Sequence, residues 1–377
     1  MLFGDRGKLI AMLIGVSFAA LIMTQQPSIF VGLLTRTYSF VDEIGLPDIW
    51  VMDPGVQFAL EHKPLRDTDL GAVRGISGVE WAVPLYKGLI RLRLPDGNTK
   101  TADLTGLDDA TLIGAPSQIF GAKLPDIQQS DAIFVDREGA RTLLKVTNPD
   151  GTTRPLAIGD EIEINDKRAV VKGYIKLVRS FVIQPQIYTT YSRAVTYSPQ
   201  DRRQLTYILV KAKPGADQRE ICRKISNYTG LAAYTGNDFR NVNLIYWLKN
   251  TGIPINFGIS VLLGFLVGAA VVGQTFYSFV YENLRHYAAL KAMGLKNKIL
   301  SRMVMLQALV VGFIGYGIGV GLASFFGMKV QGSVLAFRMP PSLLLFSGTG
   351  VLLIILVAAF LGIRRVVKVD PSIVFRG

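Results

Sequence analysis

Side chains able to do chemistry are sparse in this 377-residue chain. It has two histidines, His62 and His286, and one cysteine, Cys222. A histidine-rich zinc site needs clustered imidazoles, and a serine hydrolase needs a histidine beside its nucleophile; two distant histidines support neither. Cys222 is alone, so an intrachain disulfide cannot form. The acidic pair Asp108-Asp109 falls in loop-like sequence, where solvated carboxylates are expected. A Gly-x-x-x-x-Gly-Lys-Ser/Thr phosphate loop does not occur, so ATP-driven work has to come from a partner. The expectation is a non-catalytic chain without a metal site or a cofactor of its own.

What remains is the stretch Tyr281-Glu282-Asn283-Leu284-Arg285-His286-Tyr287-Ala288-Ala289-Leu290-Lys291-Ala292-Met293-Gly294, polar, helix-favouring and set between two long apolar segments. It is too polar to enter lipid and is followed by Lys296, Lys298 and Arg302. Apolar Leu284, Tyr287, Leu290 and Met293 could project from a helix into a partner groove, and Gly294 could end that helix in a left-handed cap.

The elements around it are membrane spans. Half the residues are hydrophobic and 18% are charged, with a mean hydropathy of +0.34, which is apolar for a soluble chain. Four runs can cross roughly 30 Å of hydrocarbon, which takes about 20 helical residues: 9–34, 255–280, 303–326 and 343–363. Thr24, Gln25, Gln26 and Pro27 interrupt the first, as a kink or as its outer end. That run, with Lys8 before it and Ser17-Phe18-Ala19 as a small-x-small site, could also be a cleaved signal peptide. Its continuation through Leu21, Ile22 and Met23 favours an uncleaved anchor.

Basic residues cluster before the first run (Arg6, Lys8), between the second and third, and after the fourth (Arg364, Arg365, Lys368, Arg376). Positive charge beside spans collects in the cytosol. The layout expected is therefore a multi-pass membrane protein with both termini inside. It has a short N-terminus at 1–8, an extracytoplasmic domain at 35–254, a cytoplasmic loop at 281–302, a short outer loop at 327–342 and a tail at 364–377. Lys329 and Arg338 weaken the asymmetry a little. The net charge of +13 fits basic flanks beside anionic lipid better than nucleic acid, for which zinc-finger spacing and RNP-like signatures are missing.

The domain at 35–254 reads as α+β, with strands and helices interspersed without regular βαβ spacing. Hairpins are expected around Pro95-Asp96-Gly97-Asn98 and Asn165-Asp166-Lys167, and helices over Asp67–Gly75, Arg137–Lys145 and Asp217–Tyr228. Tyr246 and Trp247 precede the second span, suited either to the headgroup layer or to packing of the last helix. The three later spans hold essentially no ionisable residue, which argues against a proton-coupled pathway. They hold glycines at small-x-x-x-small spacing instead: Gly264 and Gly268, Gly315 and Gly319, Gly317 and Gly321, candidates for helix packing or a dimer interface.

This arrangement, with Tyr-Ala-Ala-Leu-Lys-Ala-Met-Gly after the second span, resembles the MacB/FtsX-type ABC transporter permeases. It is most similar to the DevC-like branch, through Val280 to Gly294, Gly106-Leu107-Asp108, Phe134-Val135-Asp136-Arg137 and Val369-Asp370-Pro371-Ser372. The resemblance covers essentially the whole chain. It implies a homodimer of this chain served by a separate ABC ATPase that binds the ATP, with the loop after the second span as a coupling helix. Carried over, the contact residues are Glu282, Arg285, His286, Leu290, Lys291, Met293 and Gly294. It further implies mechanical transmission, and export of a lipid-like, glycolipid or other hydrophobic substrate with a periplasmic adaptor and outer-membrane channel. An FtsX-like regulator of an extracytoplasmic partner, or an anchored sensor or scaffold, are the alternatives.

Overall fold

The computed structural model describes residues 6–178, 180–198, 205–330 and 335–370. The expected position of Arg376, the Pro371-Ser372 end of the C-terminal motif, residues 1–5 and the middle of the 327–342 loop lie outside them. The chain divides into a membrane unit, up to Leu33 and from Thr251 onward, and an α+β unit, Leu34–Asn250.

Among the described residues, four helices are long and apolar enough to span a bilayer: α1 (Arg6–Thr37), α8 (Ile253–Glu282), α10 (Asn297–Val330) and α11 (Pro341–Val367). α1 runs through Pro27 without a break. Proline forfeits one backbone bond there, and the Ser28 hydroxyl donates to the Thr24 carbonyl at 2.6 Å, so the Ser28 hydroxyl is satisfied within its own helix. Both residues are fully buried. α8 carries Pro254 as its second residue and α11 begins at Pro341, both in the first turn, where a missing N–H costs nothing.

The glycines explain how the helices approach. A methyl group on Gly264 would lie 2.5 Å from Ile22, one on Gly315 2.7 Å from Val16, and one on Gly319 2.5 Å from Ala20 and 2.6 Å from the Ser17 carbonyl; Gly268 meets Ala19 in the same way. All four therefore seat α1 of the same chain, and the dimer interface expected as an alternative is not built from them. Their small size removes the side chain that would hold α1 away. Gly317 and Gly321 have open space beside them.

The α+β unit is a mixed sheet of strands β1 (Ile49–Met52), β2 (Val79–Arg93), β3 (Thr99–Leu107), β4 (Ile119–Phe120), β5 (Ala132–Asp136), β8 (Glu161–Ile164), β9 (Lys167–Ile175), β10 (Gln186–Thr190), β11 (Tyr207–Ala212) and β12 (Ala232–Thr235). The order is β12-β1-β11-β2-β3-β10-β5-β9-β4, with β8 against β2 and β9. Most pairs are antiparallel; β10 with β3 and β5 with β9 are parallel. The β6 (Lys145–Thr147) and β7 (Thr153–Pro155) hairpin stands apart. Helices α2 (Ser39–Glu43), α3 (Asp67–Arg74), α4 (Arg137–Thr142), α5 (Tyr191–Tyr197), α6 (Gln218–Thr229) and α7 (Gly236–Asn250) cover it.

Local chemistry sets these elements. At the β2–β3 turn the Asp96 carboxylate accepts from Asn98 N–H at 3.0 Å while Gly97 takes φ +83°. At β8–β9, Asn165 and Asp166 both have positive φ, as a two-residue hairpin requires. Arg137–Lys145 is helical only to Thr142, because Lys145 opens β6 and the β-branched Val146-Thr147 favours a strand. The Asp69 carboxylate caps α3 by accepting from Arg66 N–H at 2.9 Å. β1 is buried at every position: Trp50 and Met52 enter one core, Ile49 and Val51 another, the latter shared with Ile221 and Ile225 of α6.

The core also holds a charge. Lys87 on β2 is 2% exposed; its ammonium lies 2.9 Å from Asp103, donates to Thr105 and Gln186 at 3.0 Å each, and sits 4.5 Å above the Phe40 ring. Such a buried cation is tolerable only with this full set of partners.

Candidate functional site

The polar stretch between the second and third spans folds as a turn and a helix. α8 stops at Glu282, where the Asn283 side-chain amide donates to the Phe279 carbonyl at 2.8 Å. The Asn283 carbonyl then accepts from His286 and Tyr287 N–H at 3.0 and 3.2 Å, starting α9 (Leu284–Ala292) at once. α9 ends in a Schellman motif: Leu295 N–H donates to the Leu290 carbonyl at 3.2 Å and Gly294 N–H to Lys291 at 3.0 Å, with Gly294 at φ +92°. Leu290 and Leu295 both pack on the bundle core, the apolar contact that accompanies this cap.

α9 buries one stripe. Leu284, Tyr287 and Ala288 face the bundle, at the spacing of one helical face. Tyr287 is wholly buried and its hydroxyl donates to Gln307 of α10 at 2.9 Å; burial raises the pKa of this phenol. Lys291 continues the stripe: its ammonium donates to the carbonyls of Val367 and Val369 at 2.8 and 3.0 Å. That is a cation on the C-terminal end of α11, where helix carbonyls lack partners. The same side chain therefore ties α9 to the last span.

Of the residues expected to touch a partner, Leu290 and Lys291 turn inward, and so do Leu284 and Tyr287. The helix is short and lies between α8, α10 and α11, so its apolar face is used within the chain. Arg285, His286, Met293 and Gly294 remain exposed, Met293 at 71%. Glu282 is exposed too and pairs with Lys8 at the start of α1. Beyond the cap, Lys296, Lys298 and Ile299 extend the open rim. The spacing of Leu284 and Tyr287 marked one helical face, but nothing local said that this face turns to the chain's own bundle; the pairing of Glu282 with Lys8 had no local signal either.

Other sequence candidates are structural. Asp108 accepts from the backbone and hydroxyl of Thr111 at 2.9 and 2.7 Å, and Asp109 accepts from Ser192 N–H at 3.1 Å. His62 and His286 lie in different units. Burial pushes the Cys222 thiol up to about 12, which keeps it from acting as a thiolate. Tyr246 and Trp247 pack within the α+β unit, with Phe58 4.5 Å from Tyr246 and Phe181 4.2 Å from Trp247. The membrane unit carries one further feature, an apolar groove of about 520 Å³ between α1, α8 and α11, lined by Met23, Phe30, Phe257, Phe265 and Phe346 among others.

The family of MacB-like periplasmic core domains matches residues 9–228, and that of the FtsX-like permease C-terminal region matches residues 258–371. An uncharacterized ABC transporter permease of Mycobacterium tuberculosis is 26% identical over 352 residues, 92% of this chain and 89% of that protein. One of Mycobacterium bovis is 24% identical over 356 residues, again 92% and 89%. Among solved structures, the periplasmic region of MacB from Actinobacillus actinomycetemcomitans aligns with TM-score 0.38 and 13% identity over 56% of this chain and 96% of that one. The extracellular domain of the noncanonic ABC-type transporter YknZ from Gram-positive bacteria gives 0.34 and 15%, over 50% and 98%.

Proposed function

Because the chain belongs to the MacB/FtsX-type ABC transporter permeases, we propose that α9 is the helix through which a separate ABC ATPase moves it, the contact lying on Arg285, His286, Met293 and Gly294. The observation that carries this reading is the asymmetry of α9. Tyr287 to Gln307 and Lys291 to Val367 fix it to the third and fourth spans, while its opposite face stays open. A push on that face is delivered to several spans at once, because packed helices shift as bodies and do not deform continuously.

In this reading α9 and both termini face the cytosol, as the basic flanks require, in a bacterial cytoplasmic membrane. Two copies of the chain work with two of the ATPase, which supplies the ATP chemistry while this chain performs no catalysis. The α+β unit responds outside the membrane. The cargo is lipid-like, a glycolipid or another hydrophobic molecule, for which the groove of about 520 Å³ is a supporting observation, and it is handed on to an adaptor and an outer-membrane channel as in DevC-like systems. Co-purification with an ATPase separates this reading from an anchored sensor or scaffold. Loss of export of a hydrophobic compound on deletion, with extracytoplasmic cell-wall hydrolysis intact, separates it from an FtsX-like regulator.

A further inference from the structure

We propose that the seam between the second and fourth spans, α8 and α11, binds one anionic phospholipid at the end of the bundle that carries α9, with Arg365 on the phosphate and an acyl chain in the trough beneath. The two helices run side by side in the same direction: a methyl group on Gly268 would lie 3.4 Å from Ile354, and one on Gly362 3.0 Å from Val280. To one side of this contact each helix carries a ridge at i, i+4 and i+8. Gly273, Tyr277 and Tyr281 form the ridge on α8, and Val357, Leu361 and Arg365 the one on α11. The Arg365 guanidinium lies 5.6 Å from the centre of the Tyr281 ring, so the ridges meet at their ends.

The chain does not fill this seam. Tyr277, Tyr281, Val357 and Leu361 are 38%, 52%, 55% and 45% exposed, and a side chain at Gly273 would meet open space. From Arg365 back to Val357 the trough runs eight residues, about 12 Å. That is most of one leaflet's share of a hydrocarbon core roughly 30 Å thick.

Charge at the mouth says what covers it. Arg364, Arg365 and Lys368 are exposed, and Glu282, the carboxylate that ends α8, is engaged by Lys8 of α1. Asp370, two residues beyond Lys368, still leaves the cluster positive. Tyr277 stacks on Tyr281 with ring centres 6.3 Å apart, and the Tyr281 ring holds the guanidinium by cation–π attraction. A guanidinium so placed offers paired N–H donors that match phosphate oxygens. A helix of a second copy on this seam would bury that charge at a cost, whereas an anionic phospholipid brings the counter-charge and the apolar chain together. The bound lipid ties the ends of α8 and α11, between which α9 is held by its Lys291 bond to Val367.

The test is native mass spectrometry of the full chain, released from detergent micelles doped with phosphatidylglycerol or with phosphatidylcholine of the same acyl chains. The parent is expected to keep one phosphatidylglycerol and to lose phosphatidylcholine. Arg365→Gln should weaken retention about fivefold, as for one cation at a lipid surface. Gly273→Leu, which fills the trough and leaves the charge alone, should weaken it too, while Arg302→Gln, an exposed cation on α10, should not. Retention unaffected by Arg365→Gln or by Gly273→Leu overturns the proposal. An equal loss in Arg302→Gln overturns it as unspecific attraction to basic flanks, and displacement of the lipid by inorganic phosphate overturns it as an anion site without a trough. Arg365→Ala and Gly273→Val take over where a first variant fails to fold.

Discussion

The Lys291 ammonium donates to the carbonyl of Val367 at 2.8 Å, so the short helix after the second span also caps the fourth. A residue that reads in the sequence as a charge offered to a partner is instead a strut inside the chain. Replacing it with methionine keeps the stem and removes the cap. Lys291→Met should cost about 1.5–3 kcal/mol, the range for a hydrogen bond to a charged group, measured by thermal unfolding of the detergent-solubilised chain. Unchanged stability would mean that the strut carries no load.

Gly319 and Gly317 should behave oppositely. A side chain at Gly319 collides with Ala20 and the Ser17 carbonyl, whereas Gly317 faces open space. Gly319→Leu should lower folded yield sharply, by about 1–3 kcal/mol or more from overpacking, whereas Gly317→Ala should leave yield unchanged. Size-exclusion chromatography of both variants checks this. A folded Gly319→Leu chain that has only lost self-association would restore the dimer-interface reading.

The buried cation on β2 offers a third expectation. Lys87→Met strands the Asp103 carboxylate in the core and should cost about 3–5 kcal/mol. Adding Asp103→Leu should recover much of it, because a matched apolar pair can replace a buried ion pair. Thermal unfolding of the single and double variants measures both effects; a double variant no better than the single would contradict the assignment.

Glu43 predicts a pH dependence. Burial raises its pKa from 4.5 to about 7, against the opposing pull of the Val178 N–H and Lys87, with Asp136 and Asp42 adding to the rise. A carboxyl that titrates higher folded than unfolded contributes stability that is fully present below pH 4.5 and is lost as pH rises through 7. Glu43→Gln should flatten that slope. Unfolding temperatures of the two chains across the interval check it, and parallel slopes would contradict it.

Much of the architecture was legible because membrane spans are written in long apolar runs and their charged flanks. The hairpins at Gly97 and Asn165-Asp166 were legible because turn residues are local. Interruptions were harder. Pro27 looked like a break, yet α1 runs through it, with the Ser28 hydroxyl bonded to the Thr24 carbonyl of its own helix. α5 and β12 carried weak local signals and owe their places to tertiary packing. At the site, the sequence identified the helix and its Gly294 cap but assigned Leu290 and Lys291 to the wrong face, since which stripe is buried depends on three other helices far along the chain.

The central claim is that ATPase work enters through the open face of α9. Its most direct test is ATP turnover by the reconstituted complex of this chain with its ATPase, comparing the unaltered chain with Met293→Asp and with Arg285→Glu/His286→Asp. These positions are exposed, so the variants should insert and unfold like the parent, while turnover coupled to the permease falls by about tenfold or more, as for loss of an exposed interface anchor worth about 1.4 kcal/mol or more. Full coupled turnover in both variants, with normal assembly, would contradict the account.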